Sequence, residues 1–287
     1  MSDETAQTAM ASWLFVPGDS ARKQQRAGDS GADILILDLE DAVAPAAKPA
    51  ARATVAVFLA TTVPPRRFVR VNALDTGLAE EDVAATLPGR PDGYVLPKAT
   101  GPHDLAALSA LIERHGGGPE VGIMAIATES ARGMRNLMRL DWSHPRLVAL
   151  SWGGEDLAAD LGAARNRNAA GEYLSPFLLA RDLVLLAARD AGVAAIDAAF
   201  PDVRDLDGLR REAGEGADLG FDGKMAIHPD QIAVIHAAQT PDAAKIARAR
   251  AVLAALAAAD DGVALLDGQM LDQPHRRQAL RTLARQR

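Results

Sequence analysis

The chain has 287 residues, 48% of them hydrophobic but only 4% aromatic, with a net charge of −7. That length can bury a full core and fits one large α/β barrel better than two ordinary domains. The acidic balance argues against nucleic acid or an anionic membrane as the main partner, and the absence of cysteine removes disulfides, thiolate metal sites and cysteine nucleophiles together.

The opening segment MSDETAQTAM is polar and acidic, unlike a signal or transit peptide, and no apolar run approaches a membrane span. A cytoplasmic location is the expectation. Strand-like runs then follow at SWLFVP (12–17), DILILDL (33–39), RFVRVN (67–72), GYVLPK (93–98), VGIMAIA (121–127), RLVALSW (146–152), VAAIDAAF (193–200) and LGFDGKMAI (219–227). Helical stretches fall between and after them, at about 20–29, 46–60, 78–86, 102–115, 130–139, 174–190, 203–213 and 229–238. Strands alternating with helices imply βα units and a parallel sheet, and eight units close a (β/α)8 TIM barrel. An open doubly wound sheet is the alternative, but no G-x-G-x-x-G follows the first strand. Beyond the eighth strand, residues 240–262 read as one helix ending at Gly262. A turn at Asp267-Gly268, the acid Asp272 and a basic last helix entered at Pro274 complete the chain. The expected division is a barrel over 1–239 and a C-terminal helical extension, or lid, over 240–287.

Polar residues gather where the strands end, which is where a barrel of this kind builds its active site. Asp38, Glu40 and Asp41 follow the second strand, Arg70 ends the third, and Lys98 follows the fourth. Glu129 follows the fifth and Asp156 the sixth. Two carboxylates on adjacent strand ends, completed by waters and a chelating substrate, suit Mg²⁺ or Mn²⁺. Each acid singly reads as a helix cap; together, beside Gly153-Gly154, where backbone can approach a ligand closely, they favour the metal. Arg70 offers a fork for a substrate carboxylate or a structural pair with Asp38, Glu40 or Asp41. A Schiff-base role for Lys98 needs a depressed pKa, which its acidic neighbours oppose, so a charge-balancing lysine is expected. The histidines form no metal set: His103, His115, His144 and His236 read as surface residues, and His228 as a helix-entry residue. No G-x-S-x-G is present, so acyl-enzyme hydrolysis has little support.

The segments LFVPGDSARK, LILDLEDAV, VRVNALDTG, LPK, ATESARG, WGGEDLAADLG, GFDGKMAIHPDQI and DGQMLDQPHRRQA, in that order, resemble the citrate lyase β-subunit-like family of the HpcH/HpaI aldolase/citrate lyase superfamily. The resemblance runs from about Trp13 to the C-terminus. It departs at AIDAAFPD, where Gly-Pro is more usual after AID, and at ATES, where relatives often carry an ETARG-like segment. It implies a TIM barrel holding Mg²⁺ at Glu129 and Asp156, with Arg70 on the substrate's carboxylate or keto-acid end. It further implies cleavage or formation of a C–C bond in a 3-hydroxyacyl thioester such as malyl-, citramalyl- or citryl-CoA. The products are an acetyl thioester and a keto acid, and the assembly is a homo-oligomer, often a trimer. In relatives the acid matching Asp272 reaches a neighbouring subunit's site, so the resemblance implies that Asp272 exchanges a proton with the enolate carbon, or with water if the thioester is hydrolysed; on local sequence alone it reads as a helix cap before Pro274. Glu40 and Asp41 order waters, Glu40 within the catalytic group, while Asp38 and Lys98 support it. Arg22 and Lys23 are possible contacts to the carrier's phosphates, against a plain reading as solvated helix charges. Two alternatives stay open: a β-like subunit active only with an acyl-carrier partner, and a class II aldolase acting on free pyruvate and aldehydes. The second relies on an early histidine, and here none precedes His103.

Overall fold

The computed structural model describes residues 10–61, 65–259 and 262–286. The reading of the first nine residues falls outside them. Eight parallel strands pair in chain order and close: β1 (Ser12–Pro17), β2 (Ile34–Asp38), β3 (Arg66–Arg70), β4 (Gly93–Leu96), β5 (Gly122–Ile126), β6 (Leu147–Ser151), β7 (Ala194–Asp197) and β8 (Gly223–Ala226). β8 pairs back onto β1, so the sheet is a barrel and not an open wound sheet. Ile34, Leu35, Ile36 and Leu37 are all fully buried. A parallel strand covered on both faces needs such a continuous apolar run in place of alternation. No helix among the described residues is long and apolar enough to cross a membrane.

The helices differ from expectation in three places. Gly154–Leu161 is helical, with Glu155 and Asp156 in its first turn and Gly162 closing it at φ +67°. The paired glycines obscure its extent in the sequence; acids at the first turn and glycine after the last are the signals that were there. The helix expected over 203–213 runs instead over Leu206–Leu219, through Gly214 and Gly216. A Cβ on Gly216 would lie 3.0 Å from Asp197 Oδ2 and 3.2 Å from Arg181 Nη2, so glycine lets the helix close over buried charges. The third is in the tail. Its first helix spans only Ala243–Ala257, because Asp242 caps it by accepting from Lys245 N at 2.7 Å. An antiparallel hairpin follows, β9 (Ala264–Leu266) and β10 (Gln269–Leu271). Asp267 and Gly268 connect them with φ of +52° and +79°, the two left-handed residues of a tight hairpin turn. The last helix, Gln273–Ala284, packs on Ala243–Ala257 around Val252, Leu256, Leu271 and Ala279. Arg285 ties this tail to the barrel through the carbonyls of Ala217, Gly220 and Phe221.

One strand-end acid belongs to the framework. Asp197 is buried and accepts from Trp152 Nε1 at 2.8 Å, Arg181 Nη2 at 3.0 Å and Lys224 Nζ at 3.2 Å. Burial alone would raise its carboxyl, but Lys224 and Arg181 outweigh that and hold it below the usual range. Asp197→Ala takes the shared carboxylate from two buried cations, leaving Arg181 with Glu215 and Lys224 with Glu212. It is expected to destabilise the fold by about 3–5 kcal/mol, read in urea unfolding. Unchanged stability would contradict this role.

Candidate active site

Asp38 and Arg70 are register partners at the ends of β2 and β3. Asp38 holds the arginine in a fork, with Nε to Oδ1 at 2.8 Å and Nη2 to Oδ2 at 2.7 Å. The same carboxylate accepts from Glu40 N at 2.8 Å and Ala42 N at 3.2 Å, fixing the turn that carries Glu40 and Asp41. Glu40 Oε2 lies 3.0 Å from Arg70 Nη1. Phe15 of β1 sits under the guanidinium, 4.8 Å from ring centre to Cζ. Burial works against the arginine's charge, but Asp38 and Glu40 outweigh it and raise its pKa. The structural pair is therefore real. It engages one edge of the guanidinium and part of Nη1, and leaves further N–H groups for a ligand.

Lys98 follows β4 at φ +53°, an uncommon conformation for a residue with a side chain. That backbone turn aims two donors at two acids. Its N–H donates to Glu129 Oε2, and its Nζ donates to Glu40 Oε1 at 2.6 Å. Asp156 Oδ1 lies 3.5 Å and Asp41 Oδ2 3.6 Å from the same Nζ. Burial would lower the ammonium, yet Glu40, Asp156 and Asp41 together raise it. A lysine held protonated by three acids is no Schiff-base nucleophile at neutral pH.

Glu129 is buried, with 5% of its surface exposed. It does not cap the next helix: Ser130 does, accepting from Gly133 N at 3.1 Å, and Asp160 takes Ala131 N at 2.8 Å. The acid is thus free of the bland role its position suggested. Burial and then the charge of Asp156 push its carboxyl up to about 8. Gly153 serves this side chain more than a ligand, since a Cβ there would lie 2.8 Å from Glu129 Cγ. Asp156 stands in the first turn of its helix, half-buried, within reach of Lys98.

This donor set fits a hard divalent cation. Two carboxylates, one desolvated and both repelling, gain most from such an ion. Among the described residues no group of three or more His, Cys, Asp or Glu is placed to hold a metal ion.

Other expected residues lie apart. Arg22 and Lys23 are exposed on helix Ala21–Gly28, and neither side chain is ion-paired among the described residues. Asp272 caps the last helix and contacts His275; no described contact joins it to Glu129, Asp156, Arg70 or Lys98. His236 is not a surface residue: its Nε2 lies 2.7 Å from the buried Ser12 Oγ at the start of β1. Three supporting residues had no signal as such in the sequence. Lys48 donates to the carbonyls of Leu39 (2.9 Å) and Glu40 (3.0 Å), and Asn72 Nδ2 to Leu39 at 3.1 Å, so both pin the loop that presents Glu40. Phe15 is the third.

Arg70→Lys keeps the charge but loses the fork. It is expected to lower kcat/KM about ten- to a hundredfold, the scale of a charged hydrogen bond of about 1.5–3 kcal/mol. An unchanged kcat/KM would leave Arg70 a purely structural role.

A closed parallel barrel with charged groups converging at the C-terminal strand ends has the architecture of a TIM-barrel enzyme. The chain belongs to the HpcH/HpaI aldolase/citrate lyase family, which it matches over residues 11–229. It is 36% identical to a (3S)-malyl-CoA thioesterase of Cereibacter sphaeroides, over 95% of this chain and 93% of that protein. It is 33% identical to the mitochondrial citramalyl-CoA lyase of Rattus norvegicus, over 93% of this chain and 82% of that one. Among solved structures, protein CitE from Mycobacterium tuberculosis in complex with magnesium, acetoacetate and coenzyme A is similar at a TM-score of 0.84 and 36% identity, covering 97% of this chain and 98% of that one.

Proposed function

We propose that this protein is a magnesium-dependent carbon–carbon lyase acting on a 3-hydroxyacyl coenzyme A thioester of the malyl, citramalyl or citryl type. The observation that carries the reading is the Glu129–Asp156 pair set against Arg70 and Lys98 at one end of the barrel. The names of the relatives and the contents of the CitE complex support the metal, the thioester and the keto-acid product.

Glu129 and Asp156 would hold Mg²⁺, with Mn²⁺ an acceptable substitute. The ion supplies Lewis acidity toward the hydroxyl and carboxylate oxygens of the substrate's 2-hydroxy-acid end. Arg70 orients that carboxylate with the N–H groups Asp38 leaves over. Glu40, whose carboxyl burial raises despite Arg70 and Lys98, would accept the hydroxyl proton. The oxygen's electron pair then closes the new C=O, and the C–C pair leaves on the thioester as its enolate. Asp272, delivered by a neighbouring subunit of a homo-oligomer such as a trimer, returns a proton to the enolate carbon. Asp41 holds water at the rim, Lys98 balances charge, and Arg22 and Lys23 face the carrier's phosphates.

A panel of 3-hydroxyacyl-CoA thioesters separates the possibilities. Release of a keto acid together with acetyl-CoA supports the lyase. Free thiol with an intact 2-hydroxy diacid would mean hydrolysis, and activity only with acyl-carrier-protein thioesters would favour the complex-dependent subunit.

A further inference from the structure

Asp272 does not stand alone. His275 Nδ1 lies 2.7 Å from Asp272 Oδ1 and 3.2 Å from the Asp272 backbone nitrogen. A single ring nitrogen therefore faces a carboxyl oxygen and an N–H at once. The N–H is a fixed donor, and Nδ1 can accept from it only when it carries no proton. In that state the short contact to Oδ1 is a hydrogen bond only if the carboxyl brings the proton. In the other state the ring carries the proton and donates it to the carboxylate, and the contact to the N–H loses its hydrogen-bond character. One proton serves the pair, and moving it changes which member is the acid. Both side chains stay partly open to solvent, Asp272 at 38% and His275 at 31%. Apolar groups lead into this pair. Leu265 and Met270 are cross-strand partners in the hairpin, and both are largely exposed just ahead of Asp272.

We infer that His275 is the positioning residue of Asp272, sharing its proton and holding the carboxyl aimed for delivery to the enolate carbon. This rests on the reading of Asp272 as the proton donor. In the cleavage direction the Asp272 O–H bond breaks and its electron pair stays on the carboxylate. The proton forms a C–H bond with the enolate's electron pair, giving the acetyl thioester. Solvent, which reaches both side chains, then returns a proton to the contact between His275 Nδ1 and the new carboxylate and so prepares the pair for the next turnover. In the synthetic direction the same pair removes the methyl proton of the acetyl thioester.

The competing account is a plain capping box, in which the third helical residue accepts from the N-cap N–H. Gln is a usual residue for that task and has no titratable proton. His275→Gln therefore keeps the cap and removes the shared proton. Expected for His275→Gln is a fall in kcat of about ten- to a hundredfold, the scale for losing a partner that orients a working group. KM, thermal stability and oligomer size should stay unchanged. Deuterium uptake into the methyl group of acetyl-CoA in D₂O should fall by the same factor. Asp272→Asn with His275→Gln should be no slower than Asp272→Asn alone, because one acts through the other. A kcat and exchange rate in His275→Gln equal to wild type, with Asp272→Asn inactive, would overturn the inference and leave His275 a cap. Additive losses in the double variant would overturn it as well. Full activity of Asp272→Asn would instead remove the reading on which it rests.

Discussion

Replacing Glu129 by Gln is expected to abolish metal-dependent turnover, by about a thousandfold or more, because a bound ion contributes several kcal/mol at about 1.4 kcal/mol per decade. The fold should not suffer. The carboxyl of the metal-free site, pushed up to about 8 by burial and by Asp156, is protonated at neutral pH, and Gln is its near-isostere. The same shift sets the pH dependence. Between the ordinary 4.5 and about 8 the folded chain holds a proton at Glu129 that the unfolded chain has released. Stability of the metal-free protein therefore falls as pH rises through that window. Magnesium bound at Glu129 and Asp156 would displace that proton, so its stabilising effect should grow from pH 6 to pH 9 in the wild type and be absent in Glu129→Gln. Thermal unfolding with and without Mg²⁺ measures both. A magnesium-induced rise in Tm that survives in Glu129→Gln would show that the ion is held elsewhere.

Asp272→Asn is expected to lower kcat by about 10²- to 10⁴-fold, the range for removing a general acid–base group. Magnesium binding and oligomer size should be preserved. The shared site is then testable by mixing this variant with Glu129→Gln. If each site takes Glu129 from one subunit and Asp272 from the next, random exchange should leave about a quarter of sites with both intact groups. Recovered activity near that level supports a site built from two chains. Demonstrated subunit exchange with no recovery would confine Asp272 to its own chain.

The barrel and the main residues of its mouth were legible because they follow from chain order. Asp38, Glu40, Arg70, Lys98, Glu129 and Asp156 stand at or just after strand ends, and closing eight parallel strands carries such ends to one face. What was not legible depends on contacts between distant segments. Lys48 reads as one helix charge, yet its ammonium ties down the Glu40 loop. Asp197 looks like Asp38, a carboxylate closing an apolar strand, but Arg181 and Lys224 convert it into a framework group. Asp156 marked a helix start, but the extent of helix Gly154–Leu161 was obscured by two glycines that local propensity assigns to a loop, and a Cβ at the first would strike Glu129. The hairpin of the tail was visible only as its Asp-Gly turn, since strands of three residues carry too little pattern to read.

The most direct test of the magnesium-dependent lyase is the rate of keto-acid release from the best thioester of the panel, followed in excess EDTA and again after Mg²⁺ is restored. The account predicts no release above background in EDTA and full recovery on adding Mg²⁺. Undiminished keto-acid release in EDTA would contradict it.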